Sequence, residues 1–413
     1  MANSRLFWAG WLMALGSDLR AVDPPAAAVS DPGVALNLIS WNKIAELPPV
    51  SGQTKSHGLS GVFAGVLDNS HALVAGGTFY PEKGPLDGGR KAWTDSIFVL
   101  EQKPGAQGGE PAYEWLAVEA RLPRPLANGI SVSLDDGVLC CGGADPDACH
   151  AEVFKLQWNA VEKKVDRVDF PPLPKPIAFA GGARCGSWVY IAGGTTSPSG
   201  RSGADFFGLD LSQRGNPAAF QWQPMPVLPR TALFPVCAGQ SDGSGECFFI
   251  FGGRDLTPGK TENSFTDGLK FVPRTGAWMA AGRIQLFPNR PPLPVAGGTA
   301  VALEDYRVLI LGGDDGEIAR LLDLNARHTG TAEETEAFKK FNQAILAAHP
   351  GYRREMLLFN ARTAEWRSAG AFPQGTPAVT PAFLWDGAVV LAGGETRPGE
   401  RSPQVWLGKF EAQ

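Results

Sequence analysis

The stretch AVVLAGGETRPGERSPQVW (residues 388–406) runs from an apolar segment through a glycine pair into two arginines and two glutamates set within seven residues. A buried strand emptying directly into such charge is a local oddity unless it belongs to a series. It does. Apolar runs ending in a glycine pair recur as ALVAGG (Gly76, Gly77), GVLCCGG (Gly142, Gly143), VYIAGG (Gly193, Gly194), FFIFGG (Gly252, Gly253), VLILGG (Gly312, Gly313) and VVLAGG (Gly393, Gly394). Each follows a second apolar segment rich in small residues, such as GLSGVFAGVL, AFAGGARC or VAGGTAVAL, and a short turn such as DDG or WDG separates the two. After each pair come a variable loop and a third apolar run (SIFVL, AEVFKL, FFGLDL, DGLKFV, EMLLFN, QVWLGKF). A tryptophan usually opens a fourth: Trp115, Trp158, Trp222, Trp278 and Trp366.

Four short strands at a period of roughly 50 residues plus loop insertions form a kelch signature. The glycine pair permits close backbone approach and positive φ at the end of the second strand. The tryptophan brings large buried area to the boundary between neighbouring units. The sixth unit stops one strand short at Gln413, and the missing strand is at the other end: NLISWNKIAELPPV (residues 37–50) carries the tryptophan and Leu-Pro-Pro pattern of a fourth strand, with Trp41 in place. The expected fold is therefore all-β, a six-bladed kelch β-propeller over residues 37–413 whose last blade is closed by the N-terminal strand.

A chain of 413 residues exceeds the usual single core, but a ring of repeats escapes that limit because each blade packs only on its neighbours. A hydrophobic content of 44% with 19% charged residues indicates a globular, soluble protein. The net charge of −5 argues against a nucleic-acid partner, and no apolar run is long enough to span a membrane. Residues 1–21 combine one early arginine, an apolar stretch over residues 6–15 and small residues at Gly16, Ser17 and Ala21. They read as a short secretory signal followed by a linker over 22–36, which implies a periplasmic or secreted protein; without a signal the protein is cytoplasmic. The six cysteines fall mostly in strand positions, where they act as small buried hydrophobes, although Cys237 and Cys247 could bridge across one hairpin in an oxidising compartment. No C-x-x-C or Cys/His ligand spacing occurs, so no metal and no cofactor is expected. The expected assembly is a monomer or weak dimer.

Antiparallel order puts the loops leaving the glycine pairs on the same face as the connectors that lead into each first strand. That face gathers Arg254 and Asp255; Asp314, Asp315 and Glu317; and Glu395, Arg397, Glu400 and Arg401. The connectors add Arg124, Lys175, Arg230, Arg290 and His57. Arginines among carboxylates on one face of an acidic protein point to a binding site for an anion, the plain alternative being solvated loop charge. In the fifth unit about forty residues separate Gly313 from EMLLFN. Within them 331–349 reads as a helical insertion, with Thr331 as N-cap, glutamates in the first turn, Phe338, Phe341, Ile345 and Leu346 on one stripe, and Pro350 as terminator. It is either a lid over the binding face or a patch on the side of the ring.

The octapeptide GETRPGER (residues 394–401), directly after the unit with the helical insertion, resembles the G-E-x-x-P-G-x-R motif of the kelch-type N-acetylneuraminate epimerase (sialic acid mutarotase) family. The first-unit loop AGGTFYPEKGPLDGGRKAWTDSIFVL is similar to that family as well. The motif-bearing blade is last here and in the middle of the familiar epimerases, so the chain resembles a cyclically permuted branch; a closed ring tolerates such a cut. The resemblance implies interconversion of the α and β anomers of N-acetylneuraminate, an anionic sugar. One group removes the proton of the anomeric hydroxyl, another protonates the ring oxygen, and the roles reverse on closing. Glu395 matches the motif glutamate and Arg401 the motif arginine, which makes these the implied catalytic residues. Arg397 stands where relatives can carry lysine. The sugar carboxylate suits a bidentate arginine clamp, so Arg401, Arg397, Arg254, Arg124 and Arg230, with Asp314, are the candidate substrate-binding residues.

Three rival readings differ in the residues they require. A six-bladed sialidase would carry S-x-D-x-G-x-T-W turns, which are absent. A kelch-type copper oxidase would need histidines, tyrosines and a cysteine converging on a metal, whereas His71, His150, His328 and His349 are scattered and only His57 is well placed. A non-catalytic kelch propeller that binds an anionic sugar or a protein shares every feature except the motif, and fold alone does not separate it from an enzyme.

Overall fold

Inner strands such as Gly137–Cys141 and Ala388–Ala392 are buried at every position, which requires cover on both faces. The computed structural model supplies that cover by standing sheets side by side in a ring. It describes residues 38–85, 88–105, 109–256, 263–318, 320–321 and 330–411. The expected signal (1–21) and linker (22–36), and His328, lie outside these residues. Six four-stranded antiparallel sheets follow one another along the chain. Their innermost strands are Phe63–Asp68, Ile130–Leu134, Ala178–Cys185, Val236–Ser241, Thr299–Ala302 and Ala382–Trp385. Each lies beside the next, and the sixth lies beside the first, so the ring is closed. This is the six-bladed β-propeller expected from the sequence.

The closing strand is where the sequence puts it. Ile39–Glu46 is the outermost strand of the sixth blade, antiparallel to Gln404–Phe410, with Trp41 opposite Gly408 and a bulge between Lys43 and Ala45. Its tryptophan packs edge-on against Phe372 at 4.7 Å.

The glycine pairs have a specific task. All twelve glycines have positive φ, and in five blades the second glycine donates its N–H to a carbonyl in the connector of the next blade: Leu126, Ile177, Ala232, Val295 and Leu59. A Cβ on the first glycine of those pairs would come within 1.9–2.6 Å of the same carbonyl oxygen. Alanine there would therefore push neighbouring blades apart.

The tryptophans reach backwards around the ring. The indole N–H of Trp115 bonds to the Glu46 carbonyl, that of Trp222 to Pro171 and that of Trp278 to Pro226, each in the preceding blade. Trp366 makes the same reach by packing, 5.2 Å from Phe251. Trp158 corrects the expectation: it sits in the third strand Val153–Asn159, ahead of the fourth strand Lys164–Phe170, and stacks on His71 of the first blade at 4.5 Å. The hydrophobic core accordingly lies between blades, as where Phe249 and Phe251 of the fourth meet Leu357 and Phe359 of the fifth.

A collar of backbone encircles the channel axis. Gly61, Asn128, Phe179, Phe234, Gly297 and Val379, one per blade, all have φ between 52° and 72°. Each N–H donates to the carbonyl of the collar residue in the preceding blade, closing a cycle of six bonds of 2.7–2.9 Å. Positive φ is unusual for phenylalanine and more so for β-branched Val379, so the ring of bonds holds conformations that the residues themselves disfavour.

The helical insertion of the fifth blade is Ala332–Ala347, with Thr331 as N-cap in a full capping box with Glu334. None of its residues is fully buried; Phe338, Ile345 and Leu346 are half-covered and Phe341 is 51% exposed. All six cysteines are free. Cys237 lies opposite Ile250 and Cys247 opposite Gln240, so the two are not a cross-strand pair. Among the described residues no helix is long and apolar enough to cross a membrane.

Candidate functional site

Strand register builds the site. In every blade the residue after the glycine pair bridges to the residue just before the collar: Thr78 to Ser60, Ala144 to Ala127, Thr195 to Ala178, Arg254 to Leu233, Asp314 to Ala296 and Glu395 to Ala378. These six residues form the innermost ring on the face that the glycine pairs open onto. Half of that ring (Thr78, Ala144, Thr195) is small, and half (Arg254, Asp314, Glu395) is charged. The charged half falls on three consecutive blades.

Two ion pairs dominate it. Arg254 Nη2 lies 3.0 Å from Asp314 Oδ2, with both side chains 13% exposed, and Asp314 Oδ1 accepts from the Gly316 N–H at 3.1 Å. Arg401 Nη1 lies 2.7 Å from Glu395 Oε1, with the side chains 5% and 16% exposed. Arg401 is brought there by the hairpin Glu395–Arg397/Glu400–Arg401, in which Glu395 and Arg401 face each other across the turn. That turn needs Gly399, whose φ is 84° and whose N–H also donates to Glu395 Oε1. Both contacts therefore fall on one carboxylate oxygen, and Oε2 takes no hydrogen bond from the described residues. Arg401 Nε is buried and has no hydrogen-bond partner among the described residues. A donor and an acceptor thus stand ready in adjacent side chains.

Aromatic groups frame the pairs. The Arg401 guanidinium lies over Tyr80 at 4.9 Å, and that of Arg254 over the collar residue Phe234 at 5.5 Å. Phe234 in turn packs on Phe179 at 5.1 Å. Burial raises the Tyr80 phenol, Arg401 opposing and Glu395 adding to the shift. Lys91 is exposed as a residue, but partial desolvation of its ammonium lowers it, and Arg401 lowers it further against Glu395. All four charged groups act on Tyr352. Burial pushes its phenol far up, Glu395 and Asp314 add to the shift, and Arg254 and Arg401 oppose it. Its backbone N–H bonds to the Thr396 carbonyl, tying the segment after the helix to the motif hairpin.

Of the candidate residues, Arg254, Asp314, Glu395 and Arg401 come together. Arg397 sits beside them, paired with Glu400 and reaching the Ala347 carbonyl at the helix C-terminus at 3.5 Å. Arg124 and Arg230 are engaged elsewhere. Arg124 bonds Glu152 at 2.6 Å and approaches His150 at 3.4 Å; Arg230 pairs with Asp267 and covers Phe265. Lys175 makes the equivalent contact with Asp205 at 2.7 Å. These three cations are a repeated strut from a connector to the start of the next blade's third strand. Tyr80, Tyr352 and the Phe179–Phe234 pair were not singled out from the sequence; the one available signal was their position next to a motif or a connector.

A family model described as N-acetylneuraminate epimerase matches residues 170–413, more than half of the chain and all of the charged half of the ring. The chain belongs to the N-acetylneuraminate epimerase family. Among curated members, the N-acetylneuraminate epimerase of Yersinia pestis (strain Pestoides F) is 27% identical over 257 residues, 59% of this chain and 58% of the relative. That of Brucella melitensis biotype 1 is 28% identical over 252 residues, covering 58% and 59%. That of Yersinia enterocolitica is 26% identical over 268 residues, covering 62% and 60%. The chain thus aligns with about three-fifths of the length of these family members.

Proposed function

We propose that the protein is a mutarotase that interconverts the α and β anomers of N-acetylneuraminate by general acid–base catalysis. The observation that carries this reading is the Glu395–Arg401 pair: a carboxylate held through one oxygen beside a buried guanidinium, with Oε2 and Nε unengaged among the described residues. Glu395 Oε2 takes the proton of the anomeric hydroxyl, the hemiketal opens, the C2–C3 bond rotates, and closing reverses the transfer. Arg401 holds the sugar carboxylate, with Arg254 two blades away as a second cation. The small residues Thr78, Ala144 and Thr195 leave room for the sugar on the opposite side. The family membership supports the same substrate.

The deciding experiment is NMR of the anomeric ratio of freshly released α-N-acetylneuraminate, with and without protein. Equilibration faster than the spontaneous rate is expected. Binding without acceleration would leave a non-catalytic sugar-binding propeller.

Arg401→Lys keeps the charge and loses the planar fork, so affinity for the sugar is expected to fall tenfold or more, on the order of 1.5–3 kcal/mol for a charge-assisted contact. Unchanged binding by calorimetry would remove Arg401 from the clamp. The helix Ala332–Ala347 acts as a lid in this reading, because its C-terminal carbonyl engages Arg397 of the motif hairpin. Replacing residues 331–349 by a short Gly-Ser loop is expected to raise KM severalfold with the melting transition little changed. Native kinetics in that variant would make the helix a patch on the scaffold.

A further inference from the structure

Anomer interconversion needs a proton donor as well as a base, and the motif supplies only the base. The carboxylates of the adjacent fifth blade are poorly suited to the task. Both oxygens of Asp314 are engaged, one by Arg254 and one by the Gly316 N–H, while Asp315 accepts from the Glu317 N–H. Lys91 stands at the exposed rim, its ammonium 5.8 Å from the Trp93 ring. His349 is buried, and its Nδ1 accepts from the Gly351 N–H.

Tyr352 differs from all of these. It is fixed from two sides, by the bond from its N–H to the Thr396 carbonyl in the motif hairpin and by edge-on contact with His349 at 5.5 Å. Its backbone partner Thr396 directly follows Glu395, the charges of Glu395, Asp314, Arg254 and Arg401 all act on its phenol, and its hydroxyl makes no hydrogen bond to another described residue. Building on the mutarotase reading, we propose that Tyr352 is the second catalytic residue of this site, its hydroxyl donating to the ring oxygen of the sugar while Glu395 receives the proton of the anomeric hydroxyl.

The step balances. The anomeric O–H pair becomes the second bond of the C2 carbonyl as its proton passes to Glu395 Oε2. The bond from C2 to the ring oxygen breaks with its electron pair on that oxygen, which takes the Tyr352 proton and becomes the C6 hydroxyl. After rotation about C2–C3, the C6 hydroxyl attacks the other face of the carbonyl and returns its proton to the phenolate, while Glu395 returns the other proton to the new anomeric oxygen. Burial, with the neighbouring Glu395 and Asp314, holds the phenol above its usual range, so it stays protonated and able to donate until the ring oxygen develops charge. The ring oxygen becomes the stronger base as its bond to C2 breaks, which sends the proton to it, and closing reverses the transfer. Arg254 and Arg401 stabilise the transient phenolate.

The test uses the full chain. Tyr352→Phe keeps the ring and the backbone bond, so kcat is expected to fall by roughly 10²-fold while the Kd for N-acetylneuraminate stays within about threefold. Placing tetrafluorotyrosine at position 352, which makes the phenol more acidic, is expected to create an alkaline limb in kcat that the native protein lacks, after subtraction of the spontaneous rate. A Tyr352→Phe protein with native kcat overturns the proposal, as does equal loss of kcat and affinity, or a fluorinated protein without the new limb. Loss of activity in Lys91→Gln with Tyr352→Phe unimpaired assigns the donor to Lys91 instead. These outcomes are all read against a native protein that beats the spontaneous rate; if it does not, the mutarotase reading falls, and this proposal with it.

Discussion

Glu395→Gln is expected to slow anomer interconversion by roughly 10²–10⁴-fold while sugar binding survives. Glutamine is nearly isosteric, and its carbonyl oxygen can still accept from Arg401 and the Gly399 N–H, the two contacts that hold Glu395 now. What it lacks is an acceptor for a proton. The substitution also leaves the 5%-exposed Arg401 without its counter-charge, and an unpaired buried cation costs a few kcal/mol. An anionic sugar would supply the missing charge, so affinity is expected to hold or to rise in calorimetry. Rates must be compared with spontaneous mutarotation, which increases with pH. A glutamine variant that equilibrates anomers at the native rate would make Glu395 a structural loop charge.

The features legible in the sequence are those fixed by residue type. The glycine pairs are legible because only glycine tolerates both positive φ and a carbonyl within 2.6 Å of its missing Cβ. The closing strand was legible because Trp41 and the strand count agree. The collar was not, because its constraint is a backbone conformation met by residues as unlike as Gly61, Asn128, Phe179 and Val379. No residue code marks it; the cycle of hydrogen bonds imposes it. Charge was legible and partners were not. Arg124, Arg230 and Arg254 look alike in sequence, yet the first two brace the next blade and the third faces Asp314 on the inner ring. The difference lies in register, since Arg254 directly follows its glycine pair. Tyr352 had only its position next to a connector as a signal. It is a single tyrosine after an insertion, and only the ion pairs contributed by the fourth, fifth and sixth blades give it chemistry.

Ring closure carries the largest expected effect on stability. A chain that begins at residue 22 retains the strand Ile39–Glu46, whereas one that begins at residue 51 loses it together with Leu47 and Val50. Ile39, Leu47 and Val50 are 3%, 1% and 8% exposed, so their burial contributes roughly 5–9 kcal/mol at about 1.5–3 kcal/mol per side chain. That is comparable to the entire stability of a typical domain, about 5–15 kcal/mol. The losses extend beyond the strand itself. Gln404–Phe410 becomes an open edge, Trp115 loses the Glu46 carbonyl that its indole bonds at 2.7 Å, and Phe372 loses Trp41. Glu395 and Arg401 belong to the same blade, between its second and third strands, so the site is expected to go with it. The shorter truncation should melt like the full chain; the longer one should be recovered aggregated or show no cooperative transition. Matching melting curves for the two would mean that the sixth blade stands without its fourth strand, and that the seam between the chain ends does not hold the ring together.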